Sequence, residues 1–175
     1  MVQTLHERLE ETMRNADTLG IQGRYRKLEP QLMESYDFGR MIAVAAGSHW
    51  RQAGEPERQE LLNAFSRFSV ATYASRFNGY SGEHFETVNE RQGPRQTVLV
   101  DTRLIRPDAD PIPITYVMRA NNGQWQIVDV LLEGTISELA VKRSEYATIL
   151  GHGGIAELTE VLKEKTAALL SDKSG

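Results

Sequence analysis

A reactive site in this chain would have to be built from four histidines, scattered carboxylates and one glycine-rich turn. His6, His49, His84 and His152 stand in unrelated settings. None has a second histidine four positions away, the spacing that puts two imidazoles on one helix face for zinc. They read as surface or loop imidazoles. Gly151-His152-Gly153-Gly154 has the glycine content of a phosphate loop, but it follows a helical pattern and lacks the Lys-Ser/Thr pair. A helix end followed by a new helix start accounts for it. No GxSxG elbow occurs, and Ser144 has no lysine three positions on. The chain has no cysteine, which removes disulfides, thiolate zinc sites, iron–sulfur clusters and a thiol nucleophile. Neither a metal nor a cofactor is expected.

Asp129 stands apart. It alternates with Trp125, Ile127 and Leu131 along the most apolar strand pattern, where an ionised carboxylate needs a partner. Arg143 falls on the apolar stripe of the following helix, three residues before Tyr146 and seven after Ile136. Two readings stand side by side. Asp129 and Arg143 form a structural ion pair, or they hold a polar group of a ligand.

The elements that must position these residues follow from hydrophobic period. Leu5, Leu9 and Met13 repeat every four residues over 3–17, a helical stripe, and Tyr25, Leu28 and Leu32 repeat it over 24–34. Asp37 is placed to cap a helix through Phe38, Met41, Ile42 and Ala45. Gly54-Glu55-Pro56-Glu57 starts a longer helix, with proline and acids in its first turn, running to about Phe77. The period then changes to two. Phe85 to Arg91, Gln96 to Ile105, Ile112 to Arg119 and Gln124 to Leu132 read as strands separated by turn residues, including Asn122-Gly123. After Gly134 a helix carries Ile136, Leu139, Tyr146 and Ile149. A last helix carries Ile155, Leu158, Val161, Leu162 and Leu169, and Ser171 to Gly175 reads as a frayed tail. The expected fold class is α+β, with helices packed on one face of a curved four-stranded antiparallel sheet.

Composition bounds the rest. The 175 residues carry 20 Lys plus Arg against 24 Asp plus Glu, a net charge of -4 that argues against nucleic acid as partner. No repeat or linker divides the chain, so 1–175 reads as a single domain. No apolar run is long enough to span a bilayer. The opening Met1-Val2-Gln3-Thr4-Leu5-His6 has no signal-peptide pattern, which fits a cytosolic protein or a mature domain. Trp50, Phe65, Phe68, Tyr73, Tyr116, Met118 and Trp125 are large side chains expected to face inward, filling a core or lining a greasy cavity.

Several runs together resemble a known family. Tyr73-Ala74-Ser75-Arg76-Phe77-Asn78-Gly79-Tyr80-Ser81-Gly82-Glu83 and Trp125-Gln126-Ile127-Val128-Asp129-Val130 are similar to the MlaC and toluene-tolerance family of periplasmic lipid-binding proteins. Tyr36-Asp37-Phe38-Gly39-Arg40-Met41 and Gly47-Ser48-His49-Trp50 match its early helices. The stretch from Gly134 to Tyr146 resembles its hopanoid-associated HpnM branch. The resemblance covers about residues 20–165.

This resemblance implies a nuclear-transport-factor-like fold and a periplasmic shuttle, its signal peptide already removed. It also implies an outer-membrane lipoprotein complex and an inner-membrane transporter as partners, and a hopanoid or a phospholipid as ligand. A cavity for that lipid would be bounded by Phe38, Met41, Phe65, Phe68, Val100, Tyr116, Met118, Ile127, Ile136, Leu139 and Tyr146. The physics suits a shuttle: at about 0.8 kcal/mol per methylene, an unshielded sixteen-carbon chain costs roughly 13 kcal/mol in water. The alternative is a small cavity enzyme with Asp129 as general base.

Overall fold

The leucine stripe of the N-terminus folds as the spacing requires. Helix α1 (Val2–Arg14) buries Leu5, Leu9 and Met13. The computed structural model describes residues 1–171. After α1 come α2 (Ala16–Ser35), α3 (Phe38–Ala46), the short α4 (Ser48–Gln52) and α5 (Glu55–Arg76). Strands β1 (His84–Gln92), β2 (Thr97–Arg106), β3 (Ala109–Asn121), β4 (Gln124–Leu132) and β5 (Ile136–Ser137) follow, and α6 (Glu138–Ser171) ends the described chain. Ser171 is helical, and the rest of the expected tail, 172–175, lies outside the described residues.

Local chemistry sets the boundaries. Asp37 Oδ1 accepts from Arg40 N–H at 2.9 Å, capping α3 as expected. Glu57 accepts from Gly54 N–H at 2.8 Å at the start of α5. Asn122 and Gly123 turn the β3–β4 hairpin at φ 50° and 82°, both left-handed, which is why Asn-Gly stands there. The expected break near residue 152 is a kink: α6 runs on through Gly154, whose φ of 65° and ψ of -154° leave the helical region.

The sheet is an antiparallel meander of five strands in the order β1-β2-β3-β4-β5, one more than the sequence suggested. The extra strand is Ile136–Ser137, paired with Leu131 and Leu132. Two residues are too few to show a period of two. The chain reaches them through Glu133 and Gly134, both at positive φ. Val100, Ile114, Tyr116, Met118, Ile127 and Val130 join the helices in one hydrophobic core. On the opposite face Asp101 bridges three strands, accepting from Arg91 Nε at 2.9 Å and Thr115 Oγ1 at 2.7 Å.

One buried charge organises the helices. Arg24 is 1% exposed. Its Nε donates to the Ala74 carbonyl at 2.8 Å and an Nη to that of Ala16 at 3.1 Å. Ala74 lies in the last turn of α5, where carbonyls lack helical partners and the dipole favours a cation. Replacing Arg24 by Met leaves both carbonyls without these donors. Urea unfolding of that variant should show a loss of about 3 kcal/mol, and a curve overlying the parent's would contradict this role.

Candidate functional site

The helices leave two clefts on the core face of the sheet. The first, about 440 Å³, is walled by Met13, Tyr73, Phe77, Phe85, Leu104, Ile112, Ile114, Tyr116, Val130 and Leu132. Its rim is polar: Arg76, Asn78, Tyr80, Ser81, Glu83 and Arg106. The second, about 570 Å³, is lined by Met1, Val2, Gln3, Thr87, Glu90, Val98, Val100, Met118 and Trp125. Both volumes lie within the range of ordinary ligand clefts.

Helix α1 runs between them. Met13 reaches the first cleft and Val2 the second, while Leu5, His6 and Leu9 are buried in between. His6 stacks on Phe85 with ring centroids 4.1 Å apart. Its Nε2 lies 3.1 Å from the Tyr116 hydroxyl. The expectation of a surface or loop imidazole therefore fails for His6, which is 5% exposed. A single imidazole within an apolar stripe leaves the period unbroken, so the pattern carried no sign of this contact. Burial pushes the His6 pKa down to about 4, so the ring is neutral.

At the rim, Arg106 bonds the Asp110 carbonyl through Nε at 3.1 Å and an Nη at 2.6 Å. Arg76 stands 3.4 Å from Glu138. Arg14 lies over the Tyr80 ring, 5.3 Å from its centroid. Hydrogen bonding by backbone N–H groups, that of Ser81 foremost, lowers the Glu83 pKa. The first cleft therefore joins an apolar interior to a rim carrying both signs of charge.

The residues expected to bound one cavity are dispersed. Tyr116 lines the first cleft, and Val100 and Met118 line the second. Phe68 borders a shallow groove between α5 and α6. Phe38, Met41, Phe65, Ile127 and Tyr146 are buried core. Phe65 packs edge-on against both Phe38 and Tyr146, at 5.9 Å and 6.5 Å. Leu139 is half-buried against this core, and Ile136 is 48% exposed on β5. Trp125, expected inward, is 47% exposed beside the second cleft. The first-cleft walls at Leu104, Ile112 and Ile114 share the inward row of β2 and β3 with Val100, Tyr116 and Met118. That alternation is readable in the sequence, whereas the expected lining at Phe38, Met41, Phe65 and Tyr146 is packed core.

The Asp129–Arg143 pair does not form. A bulge between Val117 and Met118 pairs them with Asp129 and Ile127, leaving Val128 as the extra residue. The alternation shifts there, so Ile127 and Val130 are both buried and Asp129 leaves their row. Its Oδ1 accepts from Val130 N at 2.8 Å and Leu139 N at 3.0 Å, and its Oδ2 from Ser137 Oγ at 2.6 Å. Ser137 Oγ in turn accepts from Ala140 N at 2.9 Å. Asp129 and Ser137 together cap α6. Arg143 is exposed, beside a small hollow against the end of α3. The basic residue turned toward α5 is Lys142, 5.6 Å from the Phe68 centroid. Asp129 lines neither cleft, so it is not placed as a general base.

A family model described as MlaC protein matches residues 3–164. The chain belongs to the MlaC family. The match takes in α1, which the resemblance over 20–165 had left out. A search of the curated proteins finds no match. Among solved structures, this MlaC-family chain is similar to the phospholipid-binding protein from Ralstonia solanacearum in complex with a phospholipid. The TM-score is 0.82 at 20% identity, over 96% of each chain. At that identity the likeness establishes the shared fold.

Two measurements test the site as built. Asp129→Ala should cost about 1–2 kcal/mol as a lost helix cap. Arg143→Ala should change stability by under about 0.5 kcal/mol. Equal losses in denaturant unfolding would restore the ion pair. The second measurement is pH dependence. The unfolded His6 binds a proton below its ordinary pKa of 6.5, the folded one only below about 4. The unfolded state therefore binds more protons within that window, and stability falls as pH drops through it, by about 3 kcal/mol in all. His6→Leu should remove this component from the pH–stability curve.

Proposed function

We propose that this chain is a non-enzymatic periplasmic lipid carrier, with the hydrocarbon of its cargo in the first cleft and the polar end at the rim. The observation that carries this reading is the build of that cleft, a continuous apolar wall from four strands, α1 and α5 under a charged rim. A bilayer lipid needs this division, since its hydrocarbon must be shielded while its head stays in water. The periplasm, and passage between inner and outer membranes with membrane-bound transporter partners, are read from membership of the MlaC family.

For the cargo we favour a phospholipid. Arg76 and Arg106 at the rim suit a phosphate-bearing head, and a protein of the same fold is described as phospholipid-binding. A hopanoid is the second reading, favoured by the run from Gly134 to Tyr146 and its likeness to the HpnM branch.

The test is native mass spectrometry of freshly purified protein from cells that make both lipids, followed by solvent extraction. A phospholipid adduct is expected. Ile114→Trp, in the first cleft, should lower the loaded fraction several-fold, and Val98→Trp, in the second, should not. Recovery of hopanoid alone moves the cargo to the second reading. No adduct, together with no lipid uptake from vesicles of phosphatidylglycerol or hopanoid, overturns the carrier.

A further inference from the structure

The first cleft is apolar along its walls, yet two of the wall residues are tyrosines. Tyr73 and Tyr116 both line it. Each is tied to a buried partner behind the wall: Tyr73 hydroxyl to hydroxyl with Tyr36, and Tyr116 to His6 Nε2 at 3.1 Å. Tyr36 is 4% exposed and Tyr116 2%. Burial holds Tyr36 and Tyr116 well above the ordinary phenol range and pushes Tyr73 up to about 12, so all three stay protonated.

Proton counting then has a consequence. Tyr36 and Tyr73 bring two hydroxyl protons to a contact that uses one. Tyr36 does not line the cleft, and its ring is enclosed by Phe38 and Tyr73. If Tyr73 donated, the Tyr36 proton would be stranded in the core, an unfavourable state. With Tyr36 donating instead, the proton of Tyr73 is left for the cleft. Tyr116 is adaptable. With the imidazole proton on Nε2, Tyr116 accepts from His6 and offers its own proton. In the other tautomer it donates to His6 and presents a lone pair.

We propose that Tyr73 and Tyr116 form a polar subsite within the first cleft, where Tyr73 donates to an oxygen carried on the lipid body and Tyr116 supplies the second contact. The inference rests on the carrier reading and deepens it. The cleft selects lipids with an oxygen acceptor inside the hydrocarbon boundary, an ester carbonyl or a ring-system alcohol, over lipids that lack one. Arg76 and Arg106 at the rim meet the head and are indifferent to this feature.

Two matched pairs of probes test it by equilibrium binding to the full chain. One is diacyl phosphatidylglycerol against its dialkyl ether analogue of equal chain length, whose ether oxygens are poorer acceptors. The other is a pentacyclic triterpene alcohol against its hydrocarbon counterpart. The parent should prefer the better acceptor by about five-fold in whichever pair binds, the worth of one neutral hydrogen bond. Tyr73→Phe should remove most of that preference, weakening the better acceptor far more than the poorer one. Tyr36→Phe, which removes the buried partner but not the Tyr73 proton, should keep the preference. Equal binding within both pairs by the parent overturns the subsite while the carrier reading stands. So does a preference that largely survives Tyr73→Phe or disappears in Tyr36→Phe. Binding of neither pair overturns the carrier reading, and the subsite with it.

Discussion

The guanidinium of Arg24 is the contact on which the arrangement of helices depends. A buried cation of this kind is stable only where carbonyl dipoles converge, and here they come from Ala16 at the head of α2 and Ala74 at the tail of α5. The bond to Ala74 fixes the end of α5 two residues before Arg76, where the chain leaves the helix to form the rim. Tyr73, Arg76 and Phe77 therefore meet the sheet at a set height and angle. The other bond fixes the start of α2, and so the direction in which α1 lies across the sheet. One side chain thus holds two borders of the first cleft.

The sheet supplies the remaining borders through its irregularities. A regular alternation along β4 would put Ile127 and Asp129 on one face. The bulge at Val128 instead turns Asp129 aside, to the start of α6, and lets Val130 and Leu132 continue the apolar wall. A second bulge separates Thr87 from Asn89 on β1. Such bulges bend and twist a strand locally. The same irregularity thus serves two ends: it anchors α6 through a carboxylate and extends the wall of the cleft.

Much of this was legible in the sequence, and the omissions have physical causes. The leucine stripe, the Asp37 cap, the Asn122-Gly123 turn and the rows of β2 and β3 are local patterns, and each appears where periodicity put it. The Val128 bulge is set by pairing with β3, so alternation along β4 gave the wrong side for Asp129 and suggested a partner in Arg143. The two-residue β5 is too short for any period. His6 and Tyr116 are 110 residues apart, and neither side of that contact marks its neighbourhood. Arg24 sits one residue before Tyr25 in an otherwise ordinary helical pattern, and its acceptors are main-chain carbonyls, which no sequence displays. The lining expected from the sequence centres on large aromatic side chains. Those at Phe38, Phe65 and Tyr146 fill one another's space, and the open volume lies where β3 offers Ile112 and Ile114.

The meander order of the sheet bears on how the molecule comes together. Every strand pairs with the next in sequence, through short turns, so each ladder closes at small loop entropy. Helix α1 is the opposite case, since its seat against β1 and β3 joins distant parts of the chain. Contacts of that kind bring their closure cost before their reward. The expected order of folding is hairpins first, with α1 arriving late to divide the trough into two clefts. An element that docks last through few long-range contacts is also among the first to leave. Amide exchange in α1 should accordingly be faster than in β2 and β3, at an opening free energy below the global one.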